Sequence, residues 1–131
     1  MITTITPDVN KAKALIKMAK ITLERLKKTD LEAYPSNTLV DYYDIIHKLL
    51  EAETLQRGVK IKGERAHQEL IDYCAKELSL SEQTRQFLQQ LRDYRNRISY
   101  EGFMVTPGFI NANNQKIKTI IDSLFQKWVH D

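Results

Sequence analysis

The sequence predicts an all-α protein: a single domain over residues 1–131, folded as a five-helix antiparallel up-and-down bundle. Three observations predict it. Apolar residues recur at three- and four-residue spacing in five separate segments. Only three prolines and four glycines interrupt the 131 residues, which favours long helices. No alternating strand pattern, internal repeat or low-complexity tract competes with the helical period. The length suits one core and is too short for two ordinary domains.

Each helix has its own signals. Thr6-Pro7 reads as an N-cap followed by proline at the first helical position, where a missing N–H costs nothing. Leu15, Met18, Thr22 and Leu26 then form a stripe, widened by Ala12, Ala19 and Leu23, and the run stops near Asp30. Pro35 and Ser36 restart the chain into a second helix with Leu39, Tyr42, Tyr43, Ile46, Leu49 and Leu50 at helical spacing. Gly58 ends it, where a left-handed residue usually terminates a helix. The loop GVKIKG leads to a third helix with Ala66, Leu70, Cys74 and Leu78 inward. Ser79 and Glu82 have capping-box spacing and predict a fourth helix after a tight corner, running to about Tyr100 with Gly102 past its end. Thr106-Pro107 repeats the opening signal, and Ile117, Ile120, Ile121, Leu124 and Trp128 give the fifth helix its stripe. Short connections imply mostly antiparallel neighbours.

Composition narrows the function. Hydrophobic residues at 42% and charged residues at 28% are globular values. A net charge of +3 permits an anionic partner without requiring one. The single cysteine, Cys74, lies in an apolar pattern and reads as a small buried thiol, which fits a reducing compartment. No apolar stretch approaches the roughly 20 residues that cross a bilayer. The opening MITTITPDVN lacks the basic-then-apolar order of a signal peptide, so a cytoplasmic protein without a membrane partner is expected. HExxH, paired Cys-x-x-Cys, a Gly-rich phosphate loop and GxSxG are all missing, and neither metal nor cofactor is expected. His47 reads as a satisfied, partly buried histidine beside the aromatic stripe, His67 as a surface histidine at the start of the third helix, and His130 as a tail residue.

Charge is more informative. The first helix carries Lys11, Lys13, Lys17, Lys20, Arg25, Lys27 and Lys28, which a solvated face explains. The fourth has Arg85, Arg92, Arg95 and Arg97 and no lysine between Ser81 and Tyr100. Arginine's planar fork suits bidentate phosphate contacts. Along this helix Phe87, Leu88, Leu91, Tyr94 and Ile98 form the apolar stripe, and Arg95 leaves from its edge. A guanidinium there must be paired, lie in a polar cleft or face another subunit. Asn96 and Tyr100 share a face with Arg92 one turn earlier. Arg95 and Tyr100 are about 140° apart on an ideal helix. Joint action of the two therefore implies a distorted helix or a second copy across a two-fold axis. Arg97 has Asp93 and Glu101 four residues to either side as ordinary ion-pair partners, and Tyr100 can equally plug the core at the helix end.

Arg95-Asn96, three more residues and then Tyr100 resembles the R-x4-6-H signature of the HEPN superfamily, including the polar residue that follows its arginine. DYYDIIHKLLEAETLQRGVKIKGERAHQELIDY is similar to the second and third helices of small archaeal and bacterial HEPN proteins, those associated with nucleotidyltransferases. The resemblance covers nearly the whole chain. It implies a homodimer formed through the motif-bearing helix, with two motifs lining a shared cleft. Arg92, Arg95, Arg97 and Tyr100 would then contact phosphate or nucleic acid. As a catalytic set, Arg95 would meet the developing pentavalent charge, Asn96 would orient its neighbour, and Tyr100 would stand where the family has histidine. A tyrosine, with an ordinary pKa of about 10, is a poor base at pH 7 but can donate a hydrogen bond or stack. The resemblance therefore implies RNA or nucleotide binding with cleavage lost or reduced, in a toxin-antitoxin or defence-type module with a minimal nucleotidyltransferase partner. One alternative is an active, metal-independent endoribonuclease using Arg95 with a substitute base, such as His67 or a deprotonated Tyr100. The other is a purely structural protein-interaction domain. The tyrosine that some relatives modify would fall at Gly102, so that correspondence fails.

Overall fold

The computed structural model describes residues 1–128; His130 lies outside them. The chain folds as β1 (Ile2–Thr4), α1 (Val9–Lys27), α2 (Pro35–Arg57), β2 (Val59–Ile61), α3 (Ala66–Glu77), α4 (Glu82–Glu101) and α5 (Pro107–Gln126). The five helices are there, and α2 is their axis: it touches α1, α3, α4 and α5. Its sequence explains the position. Leu39, Tyr42, Tyr43, Ile45, Ile46, Leu49, Leu50, Ala52 and Leu55 are all buried, covering nearly every side of the helix, and a helix apolar all round must be enclosed. The other four helices each bury one stripe against it or its neighbours. Polar ties cross the same core. The Tyr42 hydroxyl donates to Asn114 of α5. Buried Glu53 accepts from Arg57 at 2.8 Å, and Arg57 reaches on to Glu77 of α3 at 3.1 Å. Cys74 is buried, as its pattern implies, with its thiol directed at the Leu50 carbonyl and its pKa pushed up to about 12 by that burial.

Four local expectations are corrected. Residues 2–4 and 59–61 form an antiparallel ribbon, Ile2 opposite Ile61 and Thr4 opposite Val59. Three-residue strands are too short to show an alternating pattern. The ribbon also moves the start of α1. Ile5 N–H donates to the Gly58 carbonyl at 2.9 Å and Asp8 N–H to Leu55 at 3.0 Å, so the chain stays tied to the end of α2 past Pro7. Asp8 is therefore the cap in place of Thr6, its carboxylate accepting from Lys11 N–H at 3.0 Å. In α1, Met18 is 49% exposed and Ile16 takes the inward position. At the α3–α4 corner the cap is Ser81, whose hydroxyl accepts from Thr84 N–H at 3.1 Å. Ser79 instead closes α3: it is left-handed at φ 54°, with Ser79 N–H bonded to Lys76 and Leu80 N–H to Ala75. This is the Schellman pattern, with serine where glycine is usual.

The remaining terminators behave as their residues imply. Gly58 is left-handed at φ 74°, and a Cβ on it would sit 2.8 Å from the Ile5 carbonyl oxygen. Gly102 caps α4 in the same conformation, and the Thr106 hydroxyl opens α5 by accepting from Phe109 N–H. No helix among the described residues is long and apolar enough to cross a membrane.

Candidate functional site

Helices α2, α3 and α4 meet at a point that their apolar stripes leave polar. Burial of Phe87, Leu88 and Leu91 fixes the rotation of α4, and this places Arg92, Arg95, Asn96 and Tyr100 along one edge. They line a hollow of about 260 Å³ together with Glu64, Arg65, His67 and Gln68 from the start of α3. Of the three settings open to a guanidinium at the stripe edge, Arg95 thus lies in a polar cleft.

The two central arginines are held without being neutralised. Arg92 Nε donates to the side-chain carbonyl of Gln89 at 2.8 Å, and Gln89 in turn donates to the Gln68 carbonyl and to Asp72. Arg95 makes a long bond, 3.4 Å, to Asn96 Oδ1. Among the described residues neither has a carboxylate within ion-pair distance. Arg85 and Arg97 differ. Arg85 is clasped by Asp72 at 2.9 Å and by Glu82. Arg97 lies over the Phe103 ring at 4.1 Å and 3.9 Å from Glu101, and is not among the residues lining the hollow.

The angular argument about Arg95 and Tyr100 is corrected. Helix α4 runs without a break to Glu101, yet the Arg95 guanidinium carbon stands 6.0 Å from the centre of the Tyr100 ring in the same chain. An arginine stem is long enough to swing across 140° of helix surface, and the contact sits at the outer limit of a cation–π interaction. The Tyr100 ring is 78% exposed. It lines the hollow and does not plug the core.

Sequence spacing gave no sign that His47 and His67 meet. Their rings stack at 4.5 Å, and Tyr43 continues the stack at 6.1 Å from His47. His47 Nε2 lies 3.6 Å from Glu51. Burial first, then the neighbouring His67, holds the His47 pKa below its ordinary value of 6.5. His67 is also lowered, by burial and then by Arg95 and Arg92. Both imidazoles are therefore neutral at pH 7, and the hollow holds a basic nitrogen beside two unpaired guanidinium groups. Burial raises the Tyr43 hydroxyl to about 12 despite the same two arginines. Among the described residues no three His, Cys, Asp or Glu side chains gather as a metal-binding group.

Chemically, the arrangement can bind a phosphate through two arginines, stack a ring on Tyr100 and accept a proton at His67. Comparison with protein-family models, curated proteins and solved structures finds no match.

Proposed function

We propose that the chain is a HEPN-like protein that acts as a homodimer and binds RNA or a nucleotide by its phosphate, in a toxin-antitoxin or defence-type module with a minimal nucleotidyltransferase. One observation carries the binding reading: Arg92 and Arg95 line one hollow with Asn96 and Tyr100, and no carboxylate among the described residues neutralises them. Two guanidinium groups free to pair make a phosphate site, because each can offer charge-assisted bonds that a solvent-facing cation would not align. Tyr100 at 78% exposure and Met104 at 74% stand at the same end of α4, and such exposed apolar area supports a second copy covering it. The module and the nucleotidyltransferase rest on the HEPN resemblance alone. Tyr100 in the histidine position supports a cleavage activity that is lost or reduced.

Fluorescence anisotropy with a short single-stranded RNA between 50 and 200 mM salt tests the binding. Phosphate contacts require affinity to fall steeply with salt. Salt-independent binding, or none, refutes it.

His67 favours a second reading, a metal-independent endoribonuclease. Its neutral ring lines the hollow that holds Arg95, so it can take the proton from a ribose 2′-hydroxyl. The 2′-oxygen then bonds to phosphorus and the bond to the 5′-oxygen breaks, that oxygen receiving its proton from the Tyr100 phenol. The products are a 2′,3′-cyclic phosphate and a 5′-hydroxyl. Incubation of RNA with the protein in a metal chelator decides between the readings. Cleavage by the native protein that is lost in both His67→Ala and Arg95→Ala establishes the enzyme; intact RNA in every lane rules it out and leaves the binding reading to the anisotropy.

A further inference from the structure

His67 lines two chambers. Besides the cationic hollow, it borders a cavity of about 440 Å³ between the second half of α2, the β-ribbon and the first turn of α3. That volume lies within the roughly 300–1,000 Å³ of small-molecule sites. The chambers differ in charge. Around the larger one Asp8 and Glu51 balance Lys11 and Lys60. Around the smaller one Arg65, Arg92 and Arg95 outnumber Glu64. The larger chamber also has apolar walls in Ile5, Leu55, Val59 and Ile61. His67 is the one residue that borders both, and its ring stacks on His47, which lines the larger cavity alone.

The geometry points to one two-part site for a nucleotide, its base in the larger cavity and its phosphate on Arg92 and Arg95. This rests on the phosphate reading above and adds where the nucleoside goes. A flat heterocycle is neutral, buries its faces well against aliphatic walls and imidazole, and has edges that need hydrogen bonds. The cavity supplies both, with carboxylates at Asp8 and Glu51 and a hydroxyl at Thr6. Its balanced charge gives a phosphate no reason to enter, whereas the hollow beside it does. The orientation of the ligand follows. The same chemistry is offered by a free mononucleotide and by the terminal nucleotide of an RNA strand.

Titration calorimetry tests this with the four nucleoside 5′-monophosphates, their nucleosides and inorganic phosphate. At least one nucleotide should bind about tenfold or more tightly than both its nucleoside and phosphate, a difference of about 1.4 kcal/mol. Filling the cavity with Ile61→Trp should bring that nucleotide down to the affinity of phosphate and leave phosphate binding unchanged. In the unsubstituted protein the amide NMR signals of Val59 and Ile61 should move with nucleotide and stay still with phosphate, which covers the case in which Ile61→Trp fails to fold. A linear RNA moving these signals where a circular one of the same sequence does not would assign the site to a strand end; movement with mononucleotide alone would assign it to the free ligand. If nucleotide and phosphate bind equally and no ligand moves those amides, the two-part site is wrong and the phosphate hollow stands. If phosphate, nucleotide and RNA all fail to bind, both readings fall.

Discussion

His47 and His67 belong to different helices, yet their rings stack at 4.5 Å, and this contact has a measurable consequence. His47 is the more enclosed of the two, with a pKa below 6.5 through burial and its partner's proximity. As pH falls below about 6.5 the unfolded chain takes up a proton that the folded one refuses, so stability is full above that value and declines beneath it. The cost from His47 is at most about 1.4 kcal/mol per pH unit until its folded pKa is reached. Glu82, held near 2 by Arg85, loses its contribution only below the ordinary carboxylate range and does not confuse this window. Urea unfolding at pH 7.5 and 5.5 should show the native protein weaker at the lower pH and His47→Phe losing less over the same interval, the remaining loss belonging to His67. Equal midpoints for the native protein would contradict the buried neutral histidine. Arg95 at the edge of its stripe was legible in the sequence, because a 3.6-residue period fixes which way a side chain leaves. Its nearness to Tyr100 was not, because helical angles ignore the length of an arginine. The histidine pair was illegible, since nothing in one chain's spacing sets the register between two helices.

At the scale of elements, termini carry the testable strain. Ser79 occupies the left-handed position of a Schellman turn at φ 54°. A side chain there costs about 1–2 kcal/mol, against about 0.5–1 kcal/mol for the greater freedom of glycine in the unfolded chain. Ser79→Gly should therefore raise stability by up to about 1.5 kcal/mol, read as a higher urea midpoint with an unchanged slope. A lower midpoint would mean the serine side chain contributes more than its strain costs. Gly58 is the converse case. Its φ of 74° and the 2.8 Å approach of an added Cβ to the Ile5 carbonyl set backbone against backbone, where nothing flexible can yield. Gly58→Ala should lose at least about 2 kcal/mol and loosen the ribbon; retained protection of the Ile5 amide in hydrogen exchange would refute that. Helix positions were readable because period and terminators agree for α2, for α5 and for the Gly102 end of α4. The starts of α1 and α4 were misread because a serine or threonine near a helix start is only a candidate cap: tertiary hydrogen bonds from Ile5 and Asp8 delay α1, and the Schellman turn that closes α3 takes up Ser79 and Leu80 before α4. The β-ribbon escaped notice because its three-residue strands exist only through pairing across the molecule.

For the whole molecule, the buried circumference of α2 organises the fold, and the hollow follows from it: α3 and α4 pack on the same helix and converge where their polar edges meet. The helical class was evident from composition and period. The hollow's eight lining residues come from two segments, of which the sequence marked the α4 half and, from the α3 half, His67 alone. If Tyr100 and Met104 cover a second copy, light scattering at micromolar concentration should give twice the 15.3 kDa chain mass, and Tyr100→Asp should return the protein to monomer; a native monomer would rule out a shared cleft. The proposed phosphate site depends on unpaired cations in this hollow, not on basic charge at large. Titration calorimetry with one RNA on Arg95→Ala and on Arg85→Ala isolates it, because both changes remove a single positive charge from the same helix. Arg95→Ala should weaken binding by about tenfold or more, the loss of a charge-assisted hydrogen bond, while Arg85→Ala, whose guanidinium is already taken by Asp72 and Glu82, should stay within about twofold of the native affinity. Equal losses from the two would show that the RNA senses only net charge, and would contradict the assignment of the hollow.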